Sequence, residues 1–378
     1  MFKLGIERIN EFEPIFQGKT VGLITNPTGV DQNFKSTVDI LNEKTNLKAL
    51  FSPEHGIRGN LQAGVKLDSY TDSETNIIVY SLYGEKRAPT EEMLEGVDII
   101  AYDIQDVGTR FYTYISTLAY TMQAAKRHGK KMVVFDRPNY LGSKVEGNIL
   151  NLDYRSFIGY YPIPQRYGLT VGELALFYND AMGIDCDLTV IPMSGYKRDS
   201  TAFDYDVPYV LPSPNIPTIE AVFAYAANCI FEGTNVSEGR GTTKPFQIFG
   251  APWLDTKILL KALEKHNLKG VTFRPLYFTP IMSKHKDVVC SGLEMYITDY
   301  HAFEAVYTGM VLLKEIQNTH KDFKFNPPYS EGGKKMIDLN VGDAFISNHT
   351  LSLEEIKAKQ IEDQKTFDNL AKGYHLYD

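Results

Sequence analysis

Six short apolar runs, separated by helix-length amphipathic segments, fill the first half of this chain. No other feature restricts its fold as much. The runs are KTVGLIT (19–25), LKALFS (47–52), NIIVYSLY (76–83), VDIIAYDI (97–104), KMVVFD (131–136) and CDLTVIPM (186–193). They are six to eight residues long and rich in β-branched side chains, so they read as strands covered on both faces. NFKSTVDILNEK (33–44), YISTLAYTMQAAKRHG (114–129) and TVGELALFYNDAMG (170–183) carry a helical period, and the last opens with a capping box from Thr170 to Glu173. Strands that alternate with helices predict an α/β protein with a doubly wound, mostly parallel sheet.

A proline-rich stretch, DVPYVLPSPNIPT (206–218), then changes the texture of the chain and reads as a connection. Beyond it, helical patterns (TKILLKALEKHN, FEAVYTGMVLLKEIQ, SLEEIKAKQIEDQKTFDNLAKG) mix with strands near 271–279 and 292–298. A length of 378 residues allows two domains. The expected division is a doubly wound first domain over 1–195 and a smaller α+β domain over 196–378.

Composition excludes several partners. The formal net charge of −8 argues against nucleic acid, whose phosphates demand a basic excess. No apolar run reaches the roughly 18 residues of a membrane span. The opening MFKLGIERINEF lacks a basic segment followed by an apolar one. As the sequence stands, a cytoplasmic location is expected, or a secreted or wall-associated one if a leader was removed. Cys186, Cys229 and Cys290 are far apart and form no CxxC pair. Three buried thiols are expected, without a disulfide framework or a zinc site.

The polar residues fall in a pattern. Four strands of the first half run into unusual side chains: Asn26 after the first, Glu54, His55 and Arg58 after the second, Gln105, Asp106, Arg110 and Tyr112 after the fourth, and Asp136, Arg137 and Asn139 after the fifth. In an open parallel sheet these loops share one edge, and ligands bind there. Familiar chemistries are absent. There is no GxSxG elbow. GRGTTK (239–244) departs from the dinucleotide fingerprint, and QGKT (17–20) precedes its strand where a phosphate loop follows one. His55 has no second histidine at zinc-ligand spacing, so no metal or cofactor is expected.

Carboxylates and arginines remain. Glu54 adjoins a proline and an aromatic run, surroundings that raise a carboxyl pKa and suit a general acid; alternatively it pairs with Arg58 four residues on. In the second half FEGTNVSEGRGTTKPF (231–246) gathers Glu232, Glu238 and Arg240 among glycines, as a polyhydroxylated ligand requires or as a surface loop allows. PIMSKHKD (280–287), with Lys284 and His285, reads as a solvated turn, and Glu173 as a helix cap.

FSPEHGIRG, YDIQDVGTRFYTYISTL, DRPNYLGSKVEG, YGLTVGELA, VLPSPNIPT and FEGTNVSEGRGTTKPFQIFGAPW occur in that order. Together they resemble the signature blocks of the bacterial exo-β-N-acetylmuramidases of the NamZ type. The resemblance implies a Rossmann-like first domain, a smaller second domain and a cleft between them. It implies a glycosidase that releases N-acetylmuramic acid (MurNAc) from the non-reducing end of peptidoglycan fragments such as MurNAc-GlcNAc. The family's catalytic glutamate carries over to Glu54. Tyr140, Ser143 and Tyr167 depart from the residues the family pattern leads one to expect.

The side chains suit that substrate. The lactyl ether of muramic acid carries a carboxylate, for which an arginine fork is the natural partner, and Arg58, Arg110 and Arg240 are the candidates. Asn26 or Gln105 suit the N-acetyl group, Tyr112 the sugar ring, and His55 the sugar or Glu54. Glycoside hydrolysis uses two carboxyl groups. Glu54 is expected to be the acid, and Asp106, Glu238 or Glu232 the second. A non-catalytic muropeptide-binding protein and a nucleotide- or sugar-phosphate-binding enzyme are the competing classes.

Overall fold

A computed structural model describes residues 2–53, 56–58, 69–82, 84, 86–205 and 207–378. A 3₁₀ turn (Ile6–Phe12) leads into α1 (Glu13–Phe16), β1 (Thr20–Thr25), α2 (Thr37–Lys44), β2 (Asn46–Ser52), β3 (Ser69–Thr71), β4 (Ile78–Ser81), β5 (Ile99–Asp103), α3 (Tyr114–Arg127) and β6 (Lys131–Phe135). A small ribbon, β7 (Val145–Glu146) with β8 (Arg166–Tyr167), precedes α4 (Val171–Asp180) and β9 (Leu188–Ile191). Among the described residues these strands build a seven-stranded sheet in the order β3-β4-β2-β1-β5-β6-β9. Every pairing is parallel except β3 with β4. All six predicted strands are present.

The alternation of side chains explains why both faces are covered. Leu23, Ala101, Val133 and Phe135 pack on one face, with Val38 and Leu41 of α2. Ile24, Ile100, Tyr102 and Val134 pack on the other, with Leu118 and Met122 of α3 and Leu174 and Phe177 of α4. The capping box at the start of α4 forms as the sequence predicts, with Thr170 accepting from Glu173 N and Glu173 accepting from Thr170 N.

The connection ends at α5 (Ile219–Asn228), followed by β10 (Ile248–Ala251), α6 (Thr256–Leu263), β11 (Val271–Phe278), β12 (Cys290–Ile297), α7 (Ala305–Thr319), α8 (Met336–Val341) and α9 (Leu353–Ala371). The strands form a separate antiparallel sheet, β10-β12-β11. A third core joins α5 and α7 to this sheet. The two helices approach closely at Gly309, where an added Cβ would stand 2.1 Å from the Ala227 carbonyl oxygen. The end of α9 crosses back, and Phe367 and Ala371 are buried in the core of the large sheet beside Phe177. Among the described residues no helix is long and apolar enough to cross a membrane.

Candidate active site

From β1 the chain proceeds to β2 and β4 on one side, and from β5 to β6 and β9 on the other. The order therefore reverses between β1 and β5, and the crevice lies beyond their carboxyl ends. Short hydrogen bonds knit the two loops there. Asn26 Oδ1 accepts from Thr28 N (2.9 Å) and Thr28 Oγ1 (2.5 Å), while Thr28 Oγ1 accepts from Gln105 N at 2.9 Å. Gln105 Nε2 donates to the carbonyls of Asp106 (2.9 Å) and Pro138 (2.7 Å). Three buried atoms here have no partner among the described residues: Asn26 Nδ2, Gln105 Oε1 and Asp106 Oδ1. Buried polar atoms are nearly always paired, so such a group marks a place for a ligand or water.

Asp106 is the chemically informative member. Its Oδ2 accepts from the Tyr167 hydroxyl and from Gly108 N (2.7 Å). Burial pushes its carboxyl up to about 7, against the opposing pull of those hydrogen bonds. Both protonation states are thus accessible near neutral pH. Tyr167, one of the departures from the family pattern, supplies this contact from β8.

Glu54 and His55 follow β2 and lie outside the described residues. Arg58 is described, and the structure surrounds it with acids. Its guanidinium forks onto Asp72 (Nε–Oδ1 2.7 Å, Nη2–Oδ2 3.0 Å) and meets Asp39 (3.2 Å) and Glu74 (3.1 Å). Arg58 in turn holds Asp72 down at about 2. This contact ties residues 56–58 to α2 and to the segment after β3, so Arg58 acts as an anchor and does not serve as a free carboxylate receptor.

A cavity of about 240 Å³ opens between the two units. Phe111 and Tyr112 wall it from the loop after β5 and Tyr114 from the start of α3, Ser213 and Asn215 from the connection, and Tyr225, Glu232, Arg240 and Phe246 from the second unit. Tyr112 and Tyr114 donate their hydroxyls to the Pro212 carbonyl at 2.7 and 2.8 Å, fixing the connection across the cleft. Arg240 pairs with Glu232 and sits 5.2 Å from the Phe246 ring centroid. Its Nε lies 3.2 Å from Glu238. An arginine has five N–H donors, and those not aimed at these acids have no partner among the described residues.

Glu238 stands behind Arg240, outside the cavity lining, and is 2% exposed. Lys284 Nζ reaches it at 2.9 Å and also donates to the carbonyls of Phe231 (2.6 Å) and Val236 (3.0 Å). Arg240 and Lys284 each take one of the Glu238 oxygens, so Glu238 positions Arg240 and does not face the cleft as a free carboxyl group. Lys284, expected on a solvated turn, is instead a half-buried strut. Its role rests on contacts some 46 to 53 residues away, which a local reading does not see.

Arg110, expected at the cleft, lies away from it. It is 1% exposed and does not line the cavity. Nη1 donates to the carbonyls of Asn148 (2.9 Å) and Ile163 (2.8 Å), and Nη2 to those of Asn340 (3.2 Å) and Val341 (2.7 Å). It therefore ties the first unit to the end of α8 and is withdrawn as a substrate ligand. Gly342, at φ 76°, leaves room for the guanidinium; a Cβ there would lie 2.6 Å from Nη2. The polar residues after β6 are likewise structural. Arg137 forks onto Asp103 at 2.5 and 2.8 Å. Asp136 accepts from Thr170 Oγ1 (2.8 Å) and Gly172 N (2.7 Å), while Asn139 Nδ2 donates to the Leu169 carbonyl at 2.9 Å.

An open α/β sheet with a buried acid at its switch point, and a cleft to which a second unit presents an arginine between carboxylates, has the architecture of a two-unit enzyme. The chain belongs to the exo-β-N-acetylmuramidase NamZ family: the model of that family's N-terminal part matches residues 21–220 and that of its C-terminal part residues 223–377. It is 51% identical, over 97% of its length and 89% of the relative's, to the peptidoglycan β-N-acetylmuramidase NamZ of Bacillus subtilis. Crystal structures of two DUF1343 family proteins from Bacteroides fragilis superpose with TM-scores of 0.90 and 0.81, at 36% and 33% identity. In each case the match covers 100% of this chain and 99% of the other.

Proposed function

We propose that this chain is an exo-acting glycoside hydrolase that releases MurNAc from the non-reducing end of peptidoglycan fragments during cell-wall turnover. The observation that carries this reading is the 51% identity, sustained over nearly the whole chain, to a peptidoglycan β-N-acetylmuramidase. The cleft supports it. Arg240 offers a lactyl carboxylate N–H donors that have no partner among the described residues, and the aromatic wall of Tyr112, Tyr225 and Phe246 suits the faces of a sugar ring.

In this reading Glu54 is the acid that protonates the leaving glycosidic oxygen. Asp106 is the second carboxyl group. One of its oxygens is fixed by Tyr167 and Gly108, and the other, Oδ1, has no described partner and is available to accept a proton. Asn26 Nδ2 and Gln105 Oε1 provide a donor and an acceptor that match an acetamido group. Arg240 reads the feature that distinguishes muramic acid from glucosamine, with Glu238 and Lys284 behind it.

The test is incubation with MurNAc-GlcNAc and detection of free MurNAc. The wild type should release it, and Glu54→Gln should bind the disaccharide without turning it over. Full activity in Glu54→Gln would remove Glu54 from the mechanism.

A further inference from the structure

One wall of the cleft belongs to a tight turn that also faces outward. Ser156 and Gly159 bond to each other through their main chains (Ser156 N to Gly159 O 2.9 Å, Gly159 N to Ser156 O 3.2 Å), which leaves Phe157 and Ile158 at the tip. Ile158 lines the cavity and Phe157 does not. The Phe157 carbonyl accepts from Ser116 Oγ at 2.7 Å, a bond that seats the tip on α3. Outside the cavity the Phe157 ring joins an aromatic platform. It stacks with Tyr120 of α3 (centroids 6.1 Å, planes 22° apart), and the Tyr160 ring stands 4.5 Å from that of Tyr120. Gln123 Nε2 donates to the Tyr160 hydroxyl at 3.1 Å and fixes that ring in turn. All three rings are half-buried, so each keeps part of its surface in solvent.

Two arginines lie on the platform. The guanidinium carbon of Arg87 is 4.3 Å from the Phe157 centroid, and that of Arg155 is 5.2 Å from the Tyr160 centroid. Both side chains belong to exposed residues, and among the described residues neither meets a carboxylate. A guanidinium stacked on a ring keeps its N–H edge free to fork onto a carboxylate. In a chain of net charge −8, two such cations on one surface concentrate anionic ligands. The exposed parts of the rings suit the faces of a sugar. The ligand that satisfies both features is a carbohydrate bearing a carboxylate.

The spacing agrees. Tyr114 lines the cavity, and Tyr120 is six residues further along α3, about 9 Å at 1.5 Å per residue. A disaccharide spans such a length. Glycan strands of peptidoglycan alternate MurNAc and GlcNAc, so when the terminal MurNAc occupies the cleft, the next lactyl carboxylate belongs to the third sugar. It is free in a strand without peptides.

We infer that Arg87, Arg155 and the platform of Tyr120, Phe157 and Tyr160 form a subsite for the third sugar of a peptide-free glycan strand, a second MurNAc recognised by its lactyl carboxylate. The inference rests on the muramidase reading. It leaves the carboxylate of the terminal sugar to Arg240 and adds binding only, with no new chemical step.

The experiment measures initial rates of the full chain on peptide-free MurNAc-GlcNAc and on the tetrasaccharide made of two such units. The double variant Arg87→Gln/Arg155→Gln removes both charges at exposed positions, and thermal melts confirm that it is folded. The wild type should show a KM about five- to tenfold lower for the tetrasaccharide, the scale of two partly exposed charge interactions. The double variant should lose that advantage and match the wild type on the disaccharide. Equal KM values of the wild type for both substrates, an advantage that survives the double substitution, or an equal loss on both substrates overturns the inference. If the wild type hydrolyses neither, the muramidase reading fails, and titration with the tetrasaccharide decides the subsite separately. Weaker binding by the double variant then supports it, and unchanged binding overturns it.

Discussion

Replacing Arg110 should cost stability and leave substrate recognition almost untouched. The guanidinium is buried, and burial pushes it down to about 9, yet it remains charged at neutral pH. No carboxylate pairs with it directly among the described residues; four main-chain carbonyls share the charge. Hydrogen bonds from a charged donor contribute about 1.5–3 kcal/mol each. Against these stands a desolvation penalty of several kcal/mol for the ion. The expected net loss for Arg110→Met is therefore about 3–5 kcal/mol, because the carbonyls are left unpaired. Arg110→Lys keeps the charge but has only three donors for four acceptors, so it should lose roughly half as much. Unfolding entropy for a chain of 378 residues is roughly 0.8 kcal/mol per degree, so Arg110→Met should lower Tm by roughly 5 °C. Urea unfolding, followed through the single tryptophan Trp253, measures the loss. An unchanged midpoint together with a large rise in KM for MurNAc substrates would refute the reasoning and make Arg110 a ligand.

Arg240→Gln should reduce the preference for MurNAc over GlcNAc substrates by roughly 10- to 100-fold, the value of one charge-assisted contact to a carboxylate, read as a ratio of kcat/KM values. Arg58→Ala should lower kcat roughly tenfold or more with little change in KM, since Arg58 braces the segment next to Glu54 through Asp72 and Asp39; steady-state kinetics checks it. The acid–base balance of Asp106 gives a pH signature. The native carboxyl titrates at about 7 and the unfolded one near 3.8, so between those values the native state holds a proton that the unfolded state lacks. Stability therefore falls as pH rises from about 4 to 7. Asp136 is also pushed up to about 7, so Asp106→Asn should weaken this slope without abolishing it, as urea midpoints across that range would show.

The large sheet was legible because its signals are local. β1, β5 and β6 alternate between two buried faces, and the capping box of α4 needs only Thr170 and Glu173. α5 escaped because its residues are apolar all round and show no amphipathic period: it is buried on every side from Ala221 to Asn228. β3 escaped because three residues, of which only Tyr70 is partly buried, carry no pattern. The arginines show the limit most clearly. Arg58, Arg110 and Arg240 are alike as sequence, each in a polar loop. What separates them is their partners: Asp72, fourteen residues on, for the first, the carbonyls of Asn340 and Val341, some 230 residues away, for the second, and only two acids on its own loop for the third, among the described residues. Pairing across such separations is a product of the fold, so only the structure shows which guanidinium faces the cleft.

The central claim is that the cleft hydrolyses a β-glycosidic bond of MurNAc and reads its lactyl carboxylate. Release of nitrophenol from para-nitrophenyl β-N-acetylmuramide, measured beside the matching N-acetylglucosaminide, tests it most directly. The account predicts turnover of the muramide and little or none of the glucosaminide. Equal turnover of both would contradict the role given to Arg240, and binding of MurNAc without turnover of either would contradict the assignment as a hydrolase.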